Sequence, residues 1–152
     1  MLRTACLMTL MLALPARADV AETVSDHILP GHAAFAVATA DLAQAAQTCD
    51  GPDLVTSYQA AYDTWMGIQH IRLGPIEEDG RGLAISFWPD PKGMGLRAQR
   101  ALVGGDPAVL TPEAFADQSV AARGLTGLER LLFPGVEWTG DTCPLIRATA
   151  TD

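Results

Sequence analysis

Positive charge is scarce in this chain: Lys and Arg number 10 against 18 Asp and Glu, a formal net charge of −8. A surface of that sign repels phosphate backbones instead of releasing their counterions, which excludes nucleic acid as a partner. Long hydrophobic runs are also lacking. The uncharged stretch Ala5–Leu14 is about half the 20 or so residues that a bilayer span needs. There is no His-Glu-x-x-His, Cys-x-x-Cys, EF-hand loop, glycine-rich phosphate loop or Gly-x-Ser-x-Gly elbow. Zinc-protease, calcium and nucleophilic chemistry therefore have no recognisable ligands or nucleophile here. The two serines nearest to structured segments, Ser57 and Ser119, have no His at a readable offset.

What is present begins with an export signal. Arg3 precedes the uncharged run, and Pro15, Ala16, Arg17 and Ala18 follow it, the layout of a secretory leader with an Ala-x-Ala cleavage site. Cleavage after Ala18 leaves residues 19–152, and loss of Arg3 and Arg17 takes the net charge from −8 to −10. A periplasmic or secreted protein without a membrane span in its mature form is expected. Of three cysteines, Cys6 leaves with the leader, while Cys49 and Cys143 reach a compartment that oxidises thiols. Two free thiols are the alternative; a Cys49–Cys143 disulfide is the expectation, and by the chain-entropy model it contributes roughly 4–5 kcal/mol.

At 152 residues and 49% hydrophobic content, there is material for one core and too little length for two. Val20–Gln47 is rich in Ala, with Phe35, Ala38, Leu42 and Ala45 at helical steps, and reads as a helix kinked or restarted near Pro30. Leu54, Tyr58, Ala61, Trp65 and Ile68 form one stripe of a second helix that Gly74-Pro75 stops. Glu77–Lys92 reads as a loop whose Phe87 and Trp88 cover the bundle. A short helix over Leu96–Val103 follows. A long one begins with Thr111 as N-cap and Pro112 in the first position, carries Ala121, Leu125, Leu128 and Leu132 on one face, and ends at Pro134-Gly135. A last segment starts near Asp141 or Thr142. The fold class expected is all-α, an up-and-down helical bundle with little or no strand.

Candidate site residues stand on these helices. His27 and His32 read as surface residues, while His70, at the end of the second helix, reads as a helix-end cation or a ligand. Glu129 lies among leucines: it either turns inward and finds a partner, or faces solvent with Arg130 and Arg123. Gly124 and Gly127, one turn apart inside a helix, each cost about 1 kcal/mol and permit close approach of another backbone or a ligand.

The runs Ile28-Leu29-Pro30-Gly31-His32, Tyr62-Asp63-Thr64-Trp65 leading to Arg72-Leu73-Gly74-Pro75, Phe87-Trp88-Pro89-Asp90, and Gly124 to Phe133 followed by Cys143 together resemble the N-terminal half of the imelysin family. The resemblance covers nearly all of the mature chain, in order. It implies an exported bacterial protein built from two helical bundles, related to iron-regulated proteins and to the periplasmic subunit of a ferrous-iron uptake system, with an insulin-cleaving protease as namesake. The family signature Gly-x-His-x-x-Glu reads here Gly124-Leu125-Thr126-Gly127-Leu128-Glu129, with Thr126 in the histidine's place. The helix after Cys143 would continue into a second bundle, whereas the sequence stops at Asp152, so it is either a fragment or a natural short form.

The function expected is that of a non-catalytic envelope binding protein linked to iron or another metal. Trp65 walls the pocket, Arg72 holds Glu129 or an anionic ligand group, Glu129 and His70 supply ligands to a divalent or ferric ion, Gly124 and Gly127 open the cleft, and the segment with Trp88 and Asp90 covers it. The alternative is a structural or interaction module, a remnant of a two-bundle protein that binds another envelope protein or a second copy of itself. Metallopeptidase activity ranks third.

Overall fold

The computed structural model describes residues 19–49 and 51–152. The expected leader with its cleavage point after Ala18, and Asp50 of the turn before the second helix, lie outside the described residues. Among the described residues there are helices and no strand, as the sequence leads one to expect.

Asp19 caps α1 (Val20–Thr23) by accepting the Ala21 N–H at 2.9 Å. The helix then widens to a π-turn over Val24–Ile28, where the Leu29 N–H reaches back to the Val24 carbonyl, and tightens again as α2 (Leu29–Ala45). Pro30 has no N–H to donate and its ring crowds the turn before it, so the departure from α-helical pairing falls just ahead of it. The expected kink is thus a widening and not a stop. A 3-10 turn, Ala46–Thr48, ends this arm.

Pro52 sits in the first turn of α3 (Pro52–Ile68), and all five residues of the expected stripe, Leu54, Tyr58, Ala61, Trp65 and Ile68, are buried. α3 packs chiefly along α2. At their crossing a Cβ on Gly31 would overlap the Ile68 side chain, so a glycine there lets the two backbones converge. α3 ends at Ile68, earlier than the expected stop at Gly74-Pro75. Ile68 is the last residue of the buried stripe, and no packing holds a further turn.

The expected loop over Glu77–Lys92 contains more helix than its glycines led one to expect. A 3-10 segment, Gly74–Gly80, is interrupted at Glu78 and Asp79 and leads into α4 (Arg81–Ile85). Phe87 is half-buried, as a covering residue should be. Trp88 is 77% exposed, and its expected covering role is corrected accordingly.

α5 (Met94–Leu102) matches the expected short helix. The long helix expected from Thr111 to Phe133 is instead three pieces: α6 (Pro112–Ala116), a 3-10 turn over Val120–Ala122 and α7 (Gly124–Leu132). Thr111 does cap α6, accepting the Ala114 N–H at 3.4 Å. The break has a tertiary cause at Gly124, whose φ is +63° and on which a Cβ would overlap the Ala84 and Ile85 carbonyl oxygens at the end of α4. A helix running straight through position 124 would exclude that contact.

α8 (Cys143–Thr151) starts where expected, its first N–H accepted by Asp141 at 2.9 Å. A disulfide joins Cys49 to Cys143, with Cα atoms 5.2 Å apart. Beside it Arg147 donates two hydrogen bonds to the Gln47 carbonyl, at 3.1 and 2.7 Å. At the opposite end the Asp152 carboxylate takes a bidentate pair of hydrogen bonds from Arg123, at 2.8 and 2.6 Å. α8 is thereby held at both ends against α2 and α7, which is what a nine-residue helix needs to be stable.

Candidate functional site

Trp65 points inward from α3 and is 2% exposed, its ring centre 5.5 Å from that of Phe35 on α2. Its indole N–H is buried and meets no acceptor, a state that costs about 1–3 kcal/mol. Phe35 lines an open cleft of about 380 Å³ between α2, α4, α7 and α8, together with Leu42, Ile85, Gly124, Leu128 and Ala150. Trp65 therefore stands one side chain behind the cleft wall instead of forming it. The Arg123–Asp152 ion pair also lines the cleft, with side chains 15% and 10% exposed. Since Arg123 donates to the Ala116 carbonyl as well, its guanidinium is committed and the rest of the lining is largely apolar.

The expected grouping of Glu129 with Arg72 and Trp65 does not assemble. Arg72 is exposed and lies 3.6 Å from Glu77 in the following 3-10 segment. Glu129 is exposed on α7. The reason is helical geometry. Gly127 faces inward, where a Cβ would overlap the Ala122 carbonyl, and two steps along a helix turn the side chain by about 200°. A residue at 129 then points away from the face that 127 packs. Glu129 is felt instead by Tyr58: burial first, then the Glu129 charge, then Tyr62, push the Tyr58 phenol pKa up. The two glycines do allow close approach, and backbone, not ligand, fills the space at both.

His70 is exposed in the turn after α3, and its ring lies against His27 of the π-turn, centres 5.5 Å apart and planes tilted by 30°. From Tyr58 to Ile68 is roughly 15 Å of helix at 1.5 Å per residue, so His70 is remote from the neighbourhood of Glu129 and the two do not form one metal site. Among the described residues no group of three or more His, Cys, Asp or Glu converges. Asp90 does not cover a pocket; its carboxylate accepts the Met94 and Gly95 N–H groups, each at 2.8 Å, at the start of α5. These two bonds, Gly95 first, hold its pKa below the usual carboxylate value, with burial opposing and Arg130 and Arg97 assisting.

The most developed polar arrangement escaped the sequence reading. Gln99, wholly buried, donates from its amide nitrogen to the Ala122 carbonyl at 3.1 Å and to the Gly127 carbonyl at 2.7 Å. Its amide oxygen accepts from Arg130 Nε at 3.0 Å, and Arg130 also donates to the Ala121 carbonyl. Gly95 leaves room for this guanidinium, since a Cβ there would overlap it. Desolvation lowers the Arg130 pKa against the opposing pull of Asp90 and Glu129. A glutamine at helical spacing between Leu96 and Leu102 was the available signal. Thr126 is likewise buried, and its hydroxyl accepts the Phe87 N–H at 3.1 Å, pinning the segment after α4. Chemically, the network holds α5, the 3-10 turn and α7 together.

Residues 28–152 match the family model described as Imelysin, Peptidase_M75. Among solved structures, an imelysin-like protein from Psychrobacter arcticum 273-4 is similar in fold, with 24% sequence identity and a TM-score of 0.73 over 86% of this chain and 44% of that one. The chain thus spans less than half the length of that structure. No curated protein matches it.

Proposed function

Because this chain belongs to the imelysin family, we propose that it is an exported, non-catalytic binding protein of the cell envelope that serves the supply of iron or another metal. The observation that carries the non-catalytic reading is Thr126. It occupies the place of the signature histidine, and its hydroxyl is committed to the Phe87 N–H at 3.1 Å in a buried position. A hydroxyl so placed neither takes up a proton near neutral pH nor binds a metal as an imidazole does. With Glu129 turned to solvent, the pair that would polarise water on a metal is missing its nitrogen member and its geometry. Metallopeptidase chemistry accordingly ranks last.

Export is supported by the Arg3–Ala18 leader pattern and by the Cys49–Cys143 disulfide, a bond that persists in oxidising compartments. The cleft beside Gly124 is of a size to hold a small ligand, with largely apolar walls. Expression with the native N-terminus, followed by fractionation and intact-mass measurement, tests export: the expected product is periplasmic, begins at Asp19 and contains the disulfide. Calorimetric titration of that product with ferrous and ferric ions tests the metal role, with heat expected for at least one of them. A cytoplasmic, uncleaved product, or no heat with either ion, overturns the corresponding half.

Trp88 favours a second reading, that of an interaction module. A tryptophan 77% exposed is an anchor of the kind that protein interfaces bury. Light scattering distinguishes the two: an interaction module that pairs with itself forms dimers, and a ligand-binding monomer does not.

A further inference from the structure

We propose that His27 and His70 form a two-imidazole site for a borderline divalent transition metal such as Zn²⁺, built across the crossing of the π-turn with the end of α3. Their ring centres are 5.5 Å apart. With metal–nitrogen bonds of about 2.0–2.1 Å and ring centres about 1.1 Å beyond the nitrogens, two imidazoles at a near-tetrahedral angle have centres about 5 Å apart. The observed centre-to-centre spacing is therefore close to that of a ligated pair, and rotation of the two exposed rings about their side-chain bonds would turn a nitrogen of each toward a shared ion. Both side chains are exposed, so the ion gives up only the waters that the two nitrogens replace, and water fills the remaining coordination positions.

The pair is held by backbone and not by chance meeting of two flexible side chains. His27 lies one turn before Gly31 and shares its face. Gly31 is the residue at which α2 closes onto Ile68, with no room for a Cβ between them. His70 follows Ile68 by two residues, in the turn where the Ile71 N–H bonds back to the Ile68 carbonyl at 2.9 Å. One tight contact thus fixes the origin of both histidines. The widened turn that carries His27 is of a kind found frequently at functional positions. The neighbouring Gln69 turns the other way, its amide directed at the Met66 sulfur. His32, half-buried one turn further along the same arm, has no part in the pair.

Imidazole ligands order the metals: Zn²⁺ and Ni²⁺ bind more tightly than Fe²⁺ or Mn²⁺, while Mg²⁺ and Ca²⁺, which want oxygen, do not bind. The site uses neither Glu129 nor the cleft and so goes beyond the iron reading above. The test is calorimetric titration of the untagged exported protein, disulfide intact, with Zn²⁺, alongside His27→Ala, His70→Ala and His32→Ala. The expected result is one Zn²⁺ per chain, with the dissociation constant raised at least about tenfold by each of the first two substitutions and unchanged by the third. Circular dichroism verifies that the variants fold, which the exposure of His27 and His70 predicts for the first two. Absence of Zn²⁺ binding by the parent, or binding unchanged in both His27→Ala and His70→Ala, overturns the proposal. Fe²⁺ and Fe³⁺ titrations of the same variants separate the two readings: iron binding that survives both substitutions leaves the iron role standing, whatever the Zn²⁺ result.

Discussion

Arg130 Nε donates to the Gln99 amide oxygen at 3.0 Å inside the protein, and the same glutamine's nitrogen holds the Ala122 and Gly127 carbonyls. One neutral side chain therefore satisfies a desolvated cation and two backbone acceptors on separate segments. Gln99→Leu keeps the shape and removes all three bonds. The expected loss is about 2–3 kcal/mol of unfolding free energy, read from urea denaturation, because the Ala122 and Gly127 carbonyls lose the amide donor and the guanidinium keeps only its bond to the Ala121 carbonyl. A loss under about 1 kcal/mol would show that water replaces the amide.

Gly124→Ala tests the break before α7. The new methyl group meets the Ala84 carbonyl in a left-handed backbone conformation, so the α4–α7 contact must open. The expected cost is about 2–4 kcal/mol, with the lower melting temperature as readout. Gly135→Ala, where a Cβ meets nothing within 4 Å, is the control and should cost little.

Asp90 gives the stability curve an acid limb. Its native pKa lies below the ordinary 3.8 because the Gly95 and Met94 N–H groups favour the carboxylate. The stabilisation is complete above 3.8 and disappears as the pH falls from there through the lower native value. Asp90→Ala should therefore lower the urea midpoint at about pH 6 and lower it much less at about pH 2. A gap of equal size at both pH values would assign the effect to something other than the carboxylate charge.

Trp65→Phe removes the indole N–H that has no acceptor while keeping an aromatic ring against Phe35. The lost packing and the lost unsatisfied donor oppose each other. The net cost should be below about 1.5 kcal/mol, against the 3–5 kcal/mol typical of truncating a buried aromatic to Ala. A larger cost would mean that the N–H is satisfied in solution by water or a bound acceptor.

Replacing Cys49 and Cys143 by Ala releases a loop spanning 94 positions. Unfolding free energy should fall by about 2–5 kcal/mol, seen as the same shift on reducing the parent protein.

The sequence was most legible where burial is local and periodic. The α3 stripe from Leu54 to Ile68 was read residue by residue because one face of one helix meets one neighbour. The cap at Thr111, the start of the last helix near Asp141 or Thr142 and the pairing of Cys49 with Cys143 were legible for a related reason: each depends on residue type and position more than on distant packing. The site was much less so. The leucines around Glu129 leave its direction open and Gly124 and Gly127 favour an inward one, but the orientation of α7 is set by Gly127 against Ala122 and by Gly124 against α4, the latter a contact between segments far apart in sequence. The break within 111–133 has the same origin. Gln99 passed unnoticed and Arg130 stood only as a solvent-facing neighbour of Glu129, since each looks like an ordinary polar residue of a surface helix until the partner segment is in place.

Bonding at both ends of α8 changes how that short element can move. A nine-residue helix without such ties would ordinarily fray and exchange its amide protons with solvent within moments. Here one end is covalently fastened beside the close of α2 and the other is clasped by Arg123, so no step of gradual peeling is open to it. Its amides should be released to deuterium only together with those at the end of α2, in a single cooperative opening.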